Sequence, residues 1–186
     1  MTATPTRQFA PGLFILLVLF AAFSRLIPHP SNFTPIGGLA LFGAAYFGRK
    51  YWAILVPALA LYLSSLVLDN TLYAQYYEGF VWFSNPFVYL AFGLIALFGL
   101  GIFSKISTPR ILGGALGASA IFFLVSNFGS WLGNPMYAQD FSGLMAAFAA
   151  GLPFLRNTIL GDLLYTGVLF GAYQWYLSNR TVAVAK

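Results

Sequence analysis

Apolar residues run along this chain in long blocks, separated by short segments that carry most of the charge and proline. Five blocks reach or approach the roughly 20 residues a helix needs to cross a hydrocarbon core. They are Pro11 to Ile27, Tyr51 to Leu68, Pro86 to Phe103, Ile111 to Leu132 and Phe154 to Leu177. A sixth block, Ile36 to Gly48, has 13 residues and as helix rises only about 20 Å. The segment before it, Pro28-His29-Pro30-Ser31-Asn32-Phe33-Thr34-Pro35, holds three prolines and excludes regular helix. Irregular backbone at membrane depth is tolerated only where protein buries it or a wet cavity hydrates it. A short helix behind such a segment therefore predicts a cavity on that side. Phe141 to Leu152 is a 12-residue apolar stretch, too short to span. It predicts a separate helix lying at the outer surface or dipping in, with Pro153 opening the last span.

Charge placement sets the number of crossings. With the N-terminus in the cytoplasm, the inner segments hold Arg7, Arg49, Lys50, Lys105, Arg110, Arg180 and Lys186, seven of the nine Lys/Arg. The connections from Asp69 to Asn85 and from Gly133 to Pro153 hold acids and no base. This is the positive-inside pattern. Six crossings preserve it, and dropping the short block spoils the alternation. The expected fold class is all-α: a polytopic membrane protein built as a six-helix transmembrane bundle. Residues 1–10 form a cytoplasmic tail, 11–177 the transmembrane domain and 178–186 a second cytoplasmic tail. The expected location is the inner (cytoplasmic) membrane of the cell.

Composition agrees. The 186 residues are 60% hydrophobic and 7% charged, with a mean hydropathy of +0.81; a soluble domain carries about 25% charged residues. The net charge of +5 is scattered singly or in pairs, which argues against a nucleic-acid partner. With no cysteine there is no disulfide framework and no thiolate or zinc-thiolate chemistry. Arg7 followed by the apolar run to Phe23 has the outline of a secretory signal, but no small-residue cleavage site follows, so the first helix is expected to be retained.

The polar groups inside the spans are few and lie in the outer two-thirds. Arg25 sits two residues from the outer end of the first span. Asn127 lies about 24 Å into the fifth, with Trp131 one turn further on the same face. Arg156 and Asn157 open the sixth, and Asp162 lies about 13 Å deeper than Pro153. A charge at mid-bilayer costs about 2.5–3.5 kcal/mol or more, so Asp162 must face protein or water. Arg25 is its expected partner. Thr158, Asp162 and Tyr165 share a helix face. One reading is an outward-open polar cavity for a hydrophilic or amphipathic solute. The other is a structural Arg25–Asp162 pair that only locks helices together. Arg156 alone suits snorkelling to the interface. His29, the only histidine, lacks the companions of a metal site. It reads either as a satisfied loop residue or as a lid group. Asn32, Thr34 and Asn127 can hydrogen-bond a ligand or the backbone freed by the prolines.

Small residues recur at Ala40, Ala44 and Gly48, and at Gly113 and Gly117, a spacing that lets helices approach closely. That serves either packing within the chain or a docking stripe for another subunit. There is no Gly-x-x-x-x-Gly-Lys phosphate loop, His-Glu-x-x-His zinc helix or Gly-x-Ser-x-Gly elbow. No acid chain supports a proton pump. The expectation is a protein without enzymatic activity and without a cofactor.

Two segments carry a resemblance. Arg25 to Gly48 reads RLIPHPSNFTPIGGLALFGAAYFG; the second runs from SNFGSW at Ser126 through Gly143 and Leu144 to PFLRNTILGD, ending at Asp162. Together they resemble a family of small bacterial membrane proteins whose members look like the substrate-binding S components of energy-coupling-factor (ECF) vitamin transporters. The resemblance implies capture of a small vitamin-like solute from outside, under a lid that would be Pro28 to Pro35. It implies a partnership with a transmembrane coupling protein and its ATPases, which Ala40, Ala44 and Gly48 would meet. The substrate site would comprise Arg25, His29, Asn32, Asn127, Trp131, Tyr137, Arg156, Asn157 and Asp162. In it the two arginines would bind anionic groups and Trp131 and Tyr137 would stack on a ring. The alternatives are a non-transport accessory subunit of a larger membrane complex, and an enzyme acting on lipid head groups through His29 and Asp162. The different depths of those two residues argue against the enzyme.

Overall fold

The computed structural model describes residues 11–184. The expected N-terminal tail, with Arg7, and Lys186 lie outside them. The regular structure of the described residues is all helix: α1 (Pro11–Leu26), α2 (Ile36–Tyr46), α3 (Trp52–Asn70), α4 (Pro86–Ile102), α5 (Thr108–Trp131) and α6 (Phe141–Val184), with one 3-10 turn at Ala74–Tyr76. Among these residues there is no strand. By length and composition α3, α5 and the Phe141–Ser178 part of α6 can each cross a membrane, while α1, α2 and α4 are shorter apolar helices.

The short helix is the centre of the bundle. Ile36 to Gly43 of α2 are all buried. They pack on Ala53, Val56 and Ala60 of α3, Ile95 and Ala96 of α4, Ala118 of α5 and Phe170 of α6. An 11-residue helix rises only about 17 Å, and with its flanks covered it needs no lipid contact. The outer faces are apolar instead. Leu55, Leu59, Leu63 and Val67 are exposed at every fourth position of α3, and Leu160, Leu164 and Val168 do the same on α6. Such stripes suit a hydrocarbon solvent and not water.

Two expectations need correction. Phe141 to Leu152 is not a separate surface helix: it is continuous with the last span in a single 44-residue helix that contains Pro153. A proline removes one rung of the helical ladder and kinks the rest, and the Ala, Leu and Met residues before it are strong helix formers. Asp140 caps the start of this helix, accepting from Gly143 N at 2.9 Å and Ser142 Oγ at 2.8 Å. The Gly143 amide and then the Ser142 hydroxyl hold its carboxyl below the usual aspartate range.

The second correction concerns the proposed docking stripe. Ala40 has no exposed surface, and Gly48 lies beyond the end of α2. Ala44 faces Gly99 of α4 so closely that a Cβ at Gly99 would stand 2.7 Å from its own. Gly117 likewise receives the Phe98 ring. Ala40, Ala44 and Gly117 thus pack the chain against itself, while Gly48 is exposed. Gly37 and Gly38 bring α2 equally close to α6. A Cβ at Gly38 would fall 2.9 Å from the backbone nitrogen of Thr166, and one at Gly37 would collide with the Asp162 carboxylate. The start of α2 thus lies backbone to backbone on α6.

Candidate functional site: a two-part polar chamber

The proline segment is shaped by its own hydrogen bonds. Phe33 N donates to Pro30 O at 3.0 Å and Thr34 N to Asn32 O at 3.1 Å. Asn32 takes φ 65°, a left-handed conformation that asparagine tolerates better than most residues. The Phe33 ring packs on Tyr165 at 5.6 Å between centroids. Gly161 receives the backbone of Phe33 and Thr34, with 3.2 Å left for a Cβ. The segment is therefore seated on α6 just where Asp162 emerges.

Beneath it lie two adjoining cavities. The larger, of about 290 Å³, is lined by amides and hydroxyls, Asn32, Asn85, Ser126, Asn127, Ser130, Tyr137 and Thr158, and by the rings of Phe122, Phe123 and Phe154. The smaller, of about 130 Å³, has Arg25 and Asp162 in its wall, with Thr34, Leu61 and Phe92. Asn32, Val88, Phe122 and Thr158 line both, so the two adjoin across shared residues as a two-part chamber. The larger alone is at the lower edge of the 300–1,000 Å³ typical of small-molecule pockets. Towards the opposite end of α2 the bundle is filled by rings: Phe42 lies 5.7 Å from Phe170, and Tyr46 lies 4.4 Å from Tyr173.

Arg25 and Asp162 share the smaller cavity but do not pair. Nη1 of Arg25 donates to Ser64 Oγ, to Ser65 Oγ at 3.2 Å and to the Leu61 carbonyl at 3.3 Å. All three acceptors belong to α3. Asp162, only 5% exposed, accepts on Oδ2 from Ser119 of α5 at 2.7 Å. In place of the expected ion pair, Arg25 is held by α3 and Asp162 by Ser119 of α5. Depth along the spans matched; rotation about the helix axes did not.

The other predicted residues divide. Asn32, Asn127 and Tyr137 line the chamber. Asn127 donates to Phe123 O at 2.7 Å, and its side-chain oxygen lies against Gly151, where any side chain would displace it. Trp131 stands apart, with its indole nitrogen donating to Ala138 O at 2.8 Å. His29 is turned back on its own segment, 2.6 Å from Ile27 O. Arg156 is exposed and Asn157 half-buried, and neither is in the chamber wall. Asn85 also lines the chamber, and Ser64, Ser65 and Ser119 hold its charged side chains from behind; none of the four was expected from the sequence. Adjacent serines inside the apolar run of α3 were the available signal.

A sequence family described as a family of unknown function, DUF6580, matches residues 6–184. The chain belongs to the DUF6580 family. No curated protein and no solved structure matches it. For a DUF6580 member, then, the chamber itself is the available guide to function.

Proposed function

We propose that this DUF6580 protein is a multi-pass membrane protein that binds a small solute in the chamber between α1, α4, α5 and α6, in the manner of an S component of an uptake system. The observation that carries this reading is the adjacency of the two cavities, which share four lining residues. A cavity walled by Arg25 and Asp162 adjoins an amide-lined one with aromatic walls. Apolar surroundings with a few convergent polar groups are the usual composition of a ligand site. The proline segment, seated by Gly161 over the chamber, occupies the place of a lid. The positive-inside pattern supports six membrane-embedded helices, both termini in the cytoplasm and a chamber facing outward across the inner membrane. In this reading a vitamin-like solute is bound from outside, and a coupling protein with ATPases supplies the energy.

Native mass spectrometry of gently purified protein should reveal a retained small molecule. Asn127→Ala and Asp162→Asn should each weaken its binding at least about tenfold, or about 1.4 kcal/mol. Unchanged affinity in both, with the fold intact, removes the site. One observation favours a second reading, an accessory subunit whose polar groups are structural: both Arg25 and Asp162 already have partners inside the chain. That reading predicts co-purification with a larger assembly and no bound molecule.

A further inference from the structure

The buried charges in this half of the bundle do not balance. Asp69 and Asp162 are 8% and 5% exposed, and Arg25 is the only base in the chamber wall. The titratable groups within electrostatic reach of Arg25 are Tyr89, Asp69 and Tyr73. Asp69 therefore answers Arg25 on the α1–α3 side, and its Oδ2 is further held by Ser84 Oγ at 2.6 Å. Asp162 makes no ion pair, and Arg25, which shares its cavity, is engaged by α3. Its carboxylate is buried and accepts from the Ser119 hydroxyl at 2.7 Å. The start of α2 at Gly37 lies against its carboxylate and contributes about half a positive charge at most. One carboxylate at a cavity wall is thus without an ion-pair partner. A buried carboxyl without an ion-pair partner is costly to ionise, and a cation arriving in the cavity would offset that cost.

The walls favour an organic cation. Phe92 and Phe122 both line the cavity that holds Asp162, with ring centroids 5.3 Å apart, and aromatic faces attract ammonium-type charges. Among the described residues no three His, Asp or Glu side chains cluster, so the donor set suits a transition metal poorly.

We propose that the solute is a small organic monocation, its charged nitrogen held at Asp162 beside Phe92 and Phe122 and its neutral polar body among Asn32, Asn127 and Thr158. This rests on the solute-binding reading above. Three probes of one shape and different charge test it on the purified full-length protein: benzylammonium, benzyl alcohol and benzoate, each titrated calorimetrically at neutral pH. Benzylammonium is expected to bind at least about tenfold more tightly than the other two, and Asp162→Asn to erase that preference. Should Asp162→Asn fail to fold, the order of the three probes on the unaltered protein, and the charge of any retained molecule in native mass spectrometry, decide alone. Equal or tighter binding of benzyl alcohol or benzoate overturns the cation assignment and leaves solute binding standing, as does a retained molecule that is neutral or anionic. If no probe binds and nothing is retained, both readings fall.

Discussion

Arg25→Met is expected to destabilise the protein by about 3 kcal/mol, a large share of a typical fold's margin. The guanidinium ties the end of α1 to α3 through Ser64, Ser65 and the Leu61 carbonyl. Hydrogen bonds to a charged group contribute about 1.5–3 kcal/mol each, though three on one nitrogen do not add in full. Methionine fills much of the same volume, so the loss reports the polar contacts and not a cavity. The change also leaves Asp69 buried without its opposite charge, a situation that is strongly destabilising. Asp69→Asn in the same chain should therefore recover part of the loss. Reversible unfolding in mixed micelles measures both. A loss below about 0.5 kcal/mol, the size of an ordinary surface substitution, would show that the α1–α3 contact does not depend on Arg25.

The second large effect is expected at the start of α2. Gly38→Ala would place a Cβ 2.9 Å from the Thr166 backbone nitrogen and 3.1 Å from the Tyr165 carbonyl carbon. Backbone in the middle of a long helix cannot step aside, so α2 must lift from α6. Overpacking of this kind costs about 1–3 kcal/mol. Gly37→Ala makes the contrast, because its Cβ meets the tip of the Asp162 side chain, which can swing away. That variant should keep more of its stability and lose solute binding, since the carboxylate is pushed out of position. Thermal unfolding paired with a binding assay separates the two. Equal stability losses would mean that both glycines do no more than pack.

Much of the fold could be read directly from the apolar blocks. The blocks that begin at Pro11, Ile36, Tyr51, Pro86 and Ile111 correspond to α1 to α5 within a few residues. The error at Phe141 to Leu152 came from treating Pro153 as a boundary, when a membrane-length helix can absorb one missing rung. The central position of α2 was less legible, since a short run gives its length and not its neighbours. The chamber was half legible. Arg25, Asn32, Asn127 and Asp162 stood out because polar side chains in apolar runs are costly. The Arg25–Asp162 ion pair did not follow, because residues matched in depth can still face different helices. Here Ser64 and Ser65 took the guanidinium and Ser119 took the carboxylate. Trp131 and His29 were chosen for their chemistry, and their local backbone contacts turn both away from the chamber.

The reading depends on a hydrated space between Asn127 and Asp162. The chain has no cysteine, so a single introduced thiol can report on it. In the folded protein, Asn127→Cys should react with a charged, membrane-impermeant methanethiosulfonate reagent. Ile95→Cys, at a core position with no exposed surface, should not. Asn127→Cys as inert as Ile95→Cys would mean that dry packing fills the place of the chamber.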